Sequence, residues 1–516
     1  MYSFLALVAL ACVGVLPVCA AVEPQPLPAG VADTGINVLY DSSHQFTFFN
    51  HWSCQDSLRN AGHRVTGNQA SLNRALTPGT AMRTRSQDSH EWGTYRPFGQ
   101  LPAPVYDVCY TYQHSRAQPY LPQEVQALRR FVQGGGGLII EMSNPDTPLA
   151  RMAESLGARL TPDNGPVRVK GEVEGLKGFV FPRESRLAQF SDGWEVLVGD
   201  DASRGVLAQR KLGAGNILCL TDPGLLHERS GGEDHPNQAL LTWMVRRAAT
   251  GGRDRADERR VPWEYGGLGG AFYPDNEIAV AGVRVLYSDN QLPDIIEMVK
   301  KRVPEVLERL QGMLPTPPNP GAAFYINIAA GEGGGWAENA ITPKLAGTIS
   351  LDHNGILSVL AHELAHTMYG PEATDGTPGC GLPDWFSEAH AGWFQRKIGR
   401  DMGFGSGWPY HSPGLARQDP LLDRIDLANI GEGEMGLAWE KAWFIWSIMD
   451  ARYGPDWYPR WLAHVHRKYN NPQRQLSMDE YVASISETVG EDVAPLFARF
   501  GTTVAATTEL PPIGPR

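Results

Sequence analysis

The chain has 516 residues, 42% of them hydrophobic and 20% charged, a composition that fits several packed domains and argues against a disordered chain. Asp and Glu total 57 against 45 Lys and Arg, a formal net charge of −12; no basic run is present to track phosphates, which argues against nucleic acid as a partner. After the leader, no segment offers about 18 unbroken apolar residues, so no integral membrane segment is expected in the mature chain.

Residues 1–21 read as a signal peptide. An apolar core from Phe4 to Val18 is followed by the small residues Cys19, Ala20 and Ala21, too short to span a bilayer and shaped for cleavage. The expected location is secreted or periplasmic. Removing the leader reduces six cysteines to Cys54, Cys109, Cys219 and Cys380. None of these lies in a CxxC pair, so a thiolate zinc site is not expected, and their pairing is left open.

Residues 30–250 alternate short apolar strands with helices. Strands are expected at Ile36 to Tyr40, Val105 to Tyr112, Gly137 to Met142 and Asn216 to Thr221. In LPQEVQALRRFVQGGGGLIIEMS, Val125, Leu128, Phe131 and Val132 recur at helical spacing, glycines stop the helix, and an apolar strand follows at once. Such βαβ units predict a mainly parallel, doubly wound α/β sheet. The stretch resembles the class I glutamine-amidotransferase-like fold. Enzymes of that kind need a nucleophilic cysteine on the turn after a strand; here Glu141, Ser143 and Asn144 stand there. The resemblance therefore implies a non-catalytic relative, used for binding or for packing on the domain that follows.

The polar, glycine-containing residues 251–267 are taken as a linker. The second domain, 268–505, opens with an amphipathic helix from Pro293 to Met313, closed by the proline-rich LPTPPNPG. Strands are expected at Ala323 to Ile328 and Thr348 to Leu351, and helices from Asn354 to about Phe500: an α+β zincin-type domain with a mostly helical C-terminal part.

In NGILSVLAHELAHTMYG, Asn354 can cap a helix with an apolar face of Ile356, Leu357, Leu360, Leu364 and Met368, and Gly370 can close it. His362 and His366 are then four apart on one face, the spacing that brings two imidazoles to one zinc ion. Glu363 is placed as general base for a water that the metal polarises. A catalytic zinc keeps three protein ligands. The metzincin continuation fails, because Tyr369 and Glu372 occupy its glycine and histidine positions. A later helix, LPDWFSEAHAGWFQRKIG, offers Glu388 after 21 intervening residues, and Glu388 is taken as third ligand. Glu372 and Asp375 are loop alternatives; His390 is read as solvated or outside the ligand set.

The segment DWFSEAHAGWF resembles the block that carries the third ligand across gluzincin peptidases, and LAWEKAWFIWSIMDARYG resembles the helix that follows it. In aminopeptidases of the leukotriene-hydrolase type that helix begins with Tyr-x-Lys-Gly, whose tyrosine stabilises the oxyanion. Here Trp439, Glu440, Lys441 and Ala442 stand in its place, and Tyr410, His411 and Tyr369 are alternative donors. Upstream, GEGGGWAEN partly resembles the block whose glutamate holds the substrate's free amino group, which would give that role to Glu338; those aminopeptidases use a shorter ligand spacing. Enhancin-like, mucin-degrading gluzincins tolerate long spacings and have relatives with an amidotransferase-like domain, but their Gly-His-Asn continuation is replaced by Ala365-His366-Thr367.

The resemblance implies one zinc per chain and hydrolysis of peptide bonds in proteins or glycoproteins. A catalytically inactive binding protein recognising glycoproteins or cell-wall peptides is the rival reading, and an aminopeptidase using Glu338 is the rival among enzymes. The strand from Thr348 to Asp352, polar on one face through Thr348, Ser350 and Asp352, is expected to hold substrate by adding it to the sheet edge. The tryptophans at 385, 393, 443, 446, 457 and 461 are expected in the core rather than in sugar stacking.

Overall fold

The computed structural model describes residues 29–44, 57–84, 99–113, 118–161, 186–200, 203–221, 236–249, 272–313, 324–328, 335–338, 347–351, 360–365, 385–403, 425–431, 433–469 and 476–505, with the single positions 27, 55, 173 and 383. The expected leader, the linker 251–267, Cys54 and Cys380 lie outside them, as do His366, Tyr369, Gly370, Glu372, Asp375, Tyr410 and His411.

Among the described residues the larger sheet has nine strands. Its parallel half contains β1 (Asn37–Asp41), β2 (Arg64–Asn68), β5 (Val108–Gln113), β6 (Gly137–Met142) and β11 (Gly215–Leu220), in the order β2-β1-β5-β6-β11. A small hairpin, β3 (Ala81–Thr84) with β4 (Gly99–Pro102), lies apart. The other half is antiparallel: β7 (Ala158–Leu160), β8 (Ala188–Phe190), β9 (Trp194–Gly199) and β10 (Arg204–Leu212), joined through β10 to β11. The expectation of a mainly parallel sheet therefore holds for one half only. β9 and β10 carry glycine and charge among their apolar residues, so their alternation is weak in sequence, and pairing between neighbours in the chain supplies what pattern does not.

Both faces of the parallel half are covered, as period-two burial requires. The helices that cover them are α1 (Leu72–Ala75), α2 (Pro122–Gln133), α3 (Pro148–Glu154) and α4 (Pro236–Ala248). Leu39, Cys109, Leu138, Ile140, Ile217 and Cys219 face one core, with Leu128, Phe131 and Val132 of α2 and Leu149 of α3. Val38, Tyr40, Tyr110, Ile139, Leu218 and Leu220 face the other, with Leu240, Leu241, Met244 and Val245 of α4. Glu124 closes the start of α2 by accepting from the backbone N–H of Leu121 at 2.9 Å. At its end Gly135 takes φ +102°, and a Cβ on Gly136 would sit 2.4 Å from the Phe131 ring. Cys109 and Cys219 are free, buried thiols on strands separated by β6, and burial pushes both thiols up from their ordinary range.

A second sheet, of five strands among the described residues, runs in the order β12-β13-β14-β16-β15, from β12 (Asn276–Val280), β13 (Val283–Tyr287), β14 (Phe324–Ile328), β15 (Gly335–Glu338) and β16 (Gly347–Leu351). The pairs β13/β14 and β14/β16 are parallel, and the flanking pairs antiparallel. Long helix α5 (Pro293–Met313) buries Ile296, Val299, Val303, Val306, Leu307 and Leu310, one face at helical spacing. There follow α6 (residues 360–365), α7 (Phe386–Met402), α8 (Met435–Tyr453), α9 (Trp457–Lys468), α10 (Met478–Val489) and α11 (Ala494–Arg499). Leu360, Ala361, Leu364 and Ala365 of α6 share one core with Trp385, Phe386, Trp446, Trp461 and Tyr481. No helix among the described residues is long and apolar enough to cross a membrane.

Residues 272–275 and 290–291, which flank the first hairpin of the second sheet, meet the larger sheet near the carboxyl ends of its strands. Asn290 Nδ2 donates to the Ser43 carbonyl at 3.1 Å, Gln118 Nε2 to Gln291 Oε1 at 2.5 Å, and Ser71 Oγ to Asp275 Oδ2 at 2.8 Å. Phe272 bridges to Asn68, and its carbonyl accepts from the Gln69 N–H at 2.8 Å. Carboxyl ends of strands are where open α/β sheets take ligands. In this chain Phe272, Asp275, Asn290 and Gln291 stand against that edge.

Candidate metal centre

The helical segment 360–365 turns its apolar residues into the core, and this fixes where its polar ones lie: His362 keeps 15% side-chain exposure and Glu363 is 5% exposed. Glu388 of α7 comes up to this segment. His362 Nε2 and Glu388 Oε2 are 3.2 Å apart. Two of the residues named as ligands from sequence are thus neighbours in the fold. His366 lies outside the described residues.

Burial opposes a charge on His362, yet its pKa is raised: the hydrogen bond to Glu388, the negative charges of Glu363 and Glu388, and a hydrogen bond to Gln395 outweigh desolvation. A site with two carboxylates around one imidazole favours a cation. The donor set, imidazole nitrogen with carboxylate oxygen, is the one zinc accepts. Ligand bonds of about 2.0 Å in a tetrahedron put neighbouring donors about 3.3 Å apart, close to the observed separation. His362 and Glu388 are donors of a kind and separation that zinc accepts, but among the described residues no group of three or more His, Cys, Asp or Glu side chains is assembled to hold a metal ion.

α7 is held firmly. Trp385 Nε1 donates to the Leu427 carbonyl at 3.1 Å, and Trp443 Nε1 to the Ala389 carbonyl at 2.8 Å. Arg396 donates to Ser447 Oγ at 2.7 Å and to Asp450 Oδ2 at 3.0 Å; Asp450 Oδ1 accepts from Trp393 and Trp457. Gln395, two turns beyond Glu388 on the same helix, is a buried polar side chain, 2% exposed.

Other expectations are corrected or placed. His390 is not solvated: it is fully buried, with Nδ1 3.0 Å from Tyr458 Oη and its ring against Phe386 and Phe394. Trp385, Trp393, Trp446, Trp457 and Trp461 belong to the core, as expected, and Trp443 packs half-buried against it. Trp439 is half-buried, with its indole N–H buried and making no hydrogen bond among the described residues. The nearby Lys441 is buried and donates to the Ile425 carbonyl. The strand expected to bind substrate, β16, is paired on both sides, to β14 and β15; it has no free edge, so the substrate-addition expectation fails there. The edge is β15, which ends at Glu338 opposite Thr348.

No known protein family matches the sequence, and no curated protein is similar to it. Among solved structures, an M1 zinc metallopeptidase from Deinococcus radiodurans is 13% identical with a TM-score of 0.30, over 47% of this chain and 54% of that one. A ThuA-like protein from Bacteroides uniformis is 14% identical with a TM-score of 0.27, over 43% and 95%. The mmIFT52 N-terminal domain is 11% identical with a TM-score of 0.28, over 40% and 97%. Likenesses of this size leave the chemistry to be argued from the residues themselves.

Proposed function

We propose that this chain is a secreted, zinc-dependent metallopeptidase that hydrolyses peptide bonds of proteins or glycoproteins. The observation that carries the reading is the approach of Glu388 to His362 at 3.2 Å beside the buried Glu363. His362, His366 and Glu388 would hold one zinc ion, which when bound supplies Lewis acidity toward a carbonyl and lowers the pKa of water. Glu363 takes a proton from the attacking water and delivers it to the leaving nitrogen. The fixed seating of α7 holds Glu388 at its partner without cost at the moment of reaction.

Trp439 favours a second reading. An indole offers one N–H donor and no ionisable hydroxyl, so a binding protein with an inert peptidase fold remains the rival. Among the described residues β15 is the outer strand on that side of the sheet, which suits extended substrate, and the aminopeptidase version would assign the substrate's amine to Glu338, its last residue.

The test is zinc content and hydrolysis of a mixed protein and glycoprotein digest, wild type against Glu363→Gln. We expect about one zinc per chain in both and cleavage only by the wild type, with activity reduced by ~10²-fold or more in the variant. Zinc in both and cleavage in neither would transfer the lead to the binding protein. Free against blocked peptide amino termini then separates aminopeptidase from endopeptidase.

A further inference from the structure

We propose that the carboxyl edge of β1 and β2 is a docking face read by carboxamides, and that its occupant is the chain's own second sheet. The turn between β13 and α5 and the strand β14 seat on this face, which makes the stability of the second sheet depend on the larger one. The inference stands apart from the metallopeptidase reading, and it assigns the edge to an internal partner rather than to a small ligand.

Three side-chain bonds cross from one sheet's residues to the other's. Asn290 Nδ2 donates to the Ser43 carbonyl at 3.1 Å, Gln118 Nε2 donates to Gln291 Oε1 at 2.5 Å, and Asn327 Nδ2 donates to Gln69 Oε1. Asn290 and Gln291 lie in the turn after β13, and Asn327 in β14, which is paired on both sides. Ser43, Gln69, Gln118, Asn290 and Asn327 are each 2% exposed or less. An amide taken out of water needs a partner to offset its desolvation. Among the described residues Gln69 Nε2 and Gln118 Oε1 are buried without one, so for these two side chains the bond across the joint is what offsets burial.

The larger sheet holds its side of the joint in place. The His44 carbonyl accepts from the Gln118 N–H at 3.2 Å and from Gln113 Nε2 at 3.3 Å, and Asp41 Oδ1 accepts from the Ser43 N–H at 3.0 Å. Phe272, just ahead of β12, is fully buried in the core that contains Leu39. Beside the amides, Arg74 pairs with Asp275 at 2.8 Å and Arg83 with Glu277 at 2.8 Å. A shift of register would leave several buried amides unpaired at once, so the polar layer selects one seating. A polar stretch such as 251–267 would by itself let the two sheets open separately; the docking face predicts that they do not.

The experiment is hydrogen exchange of the full chain, read peptide by peptide, for wild type, Gln118→Ala and Gln69→Ala. Both substitutions are on the larger sheet's side, and circular dichroism checks that each variant folds. We expect either one to raise the opening of β13, β14 and α5 by ~10-fold while β5 and β6 keep wild-type protection. Gln118→Ala combined with Gln291→Ala should open these elements no more than one of the two alone, because both remove the same contact. Faster exchange confined to the peptide that carries the substitution overturns the proposal, as do multiplied effects in the double variant. Should one single variant fail to fold, the other decides by the same spread of exchange across the joint.

Discussion

Trp443 donates its indole N–H to the carbonyl of Ala389 at 2.8 Å, and the indole that makes this bond lies directly over Gly392. A Cβ on Gly392 would be 2.6 Å from Trp443 Cζ2 and 2.8 Å from its Nε1. Gly392→Ala gains about 1 kcal/mol of helix propensity. It also forces a clash with a ring held by its own hydrogen bond, which costs about 1–3 kcal/mol. We expect net destabilisation in denaturant unfolding, and less than additive loss when Gly392→Ala is combined with Trp443→Phe. A stabilised Gly392→Ala would show that the indole moves aside freely.

Asp450 is the other anchor of α7. Its side chain is 11% exposed and collects Arg396 and two indole N–H groups. Asp450→Ala strands all three donors, and we expect a loss of about 3 kcal/mol. Asp450→Asn keeps one acceptor oxygen and should lose less. Equal losses in the two variants would assign the effect to packing rather than to the acceptor.

Much of this architecture was legible because burial imposes period. The strand expected at Gly137 to Met142 and the helix at Pro293 to Met313 appear with those bounds. Leu138, Ile139 and Ile140 are buried on alternate faces, and α5 has a single apolar stripe. Strand β2, RVTGN, and hairpin strand β4, GQLP, carry too little apolar pattern to announce themselves and depend on tertiary pairing. At the site, the His362 and Glu388 pair followed from motif spacing. The sheet order did not: whether β16 is an edge depends on where β15 pairs, a non-local fact with no local signature.

Glu388 should matter for zinc more than any residue that touches only another ligand. Glu388→Ala removes a donor atom, and we expect its zinc affinity to fall by more than the ~10–100-fold typical of supporting residues. Because the Glu388 side chain is 40% exposed, the metal-free fold should be nearly unaffected. Chelator competition with circular dichroism checks both. Wild-type zinc affinity in Glu388→Ala would move the third ligand to Glu372 or Asp375.

Two buried histidines should give the first domain opposite pH limbs. His63 is fully buried, with Nδ1 2.8 Å from Thr34 Oγ1. Burial first, then the positive charge of Arg246, lowers its pKa from 6.5 to about 4, against a smaller opposing pull from Asp33. Between those values the unfolded chain binds the proton and the folded one does not, so stability falls on acidification from about 6.5 to about 4, by on the order of 3 kcal/mol. His44 is the reverse. Burial disfavours its charge, but Asp41 at 2.7 Å and Glu124 at 3.2 Å overcome that and raise its pKa from 6.5 to about 10. The folded chain keeps this proton after the unfolded one has released it. The stabilisation is complete below about 6.5 and is lost as pH rises through about 10. Unfolding free energies measured across this range should therefore be flattened on the acid side by His63→Gln and on the alkaline side by His44→Gln. The latter also lowers stability near neutrality, since it leaves Asp41 and Glu124 buried without their cation. An acid limb unchanged in His63→Gln would mean that carboxylates elsewhere set it, and an alkaline limb unchanged in His44→Gln would remove the buried imidazolium from the account.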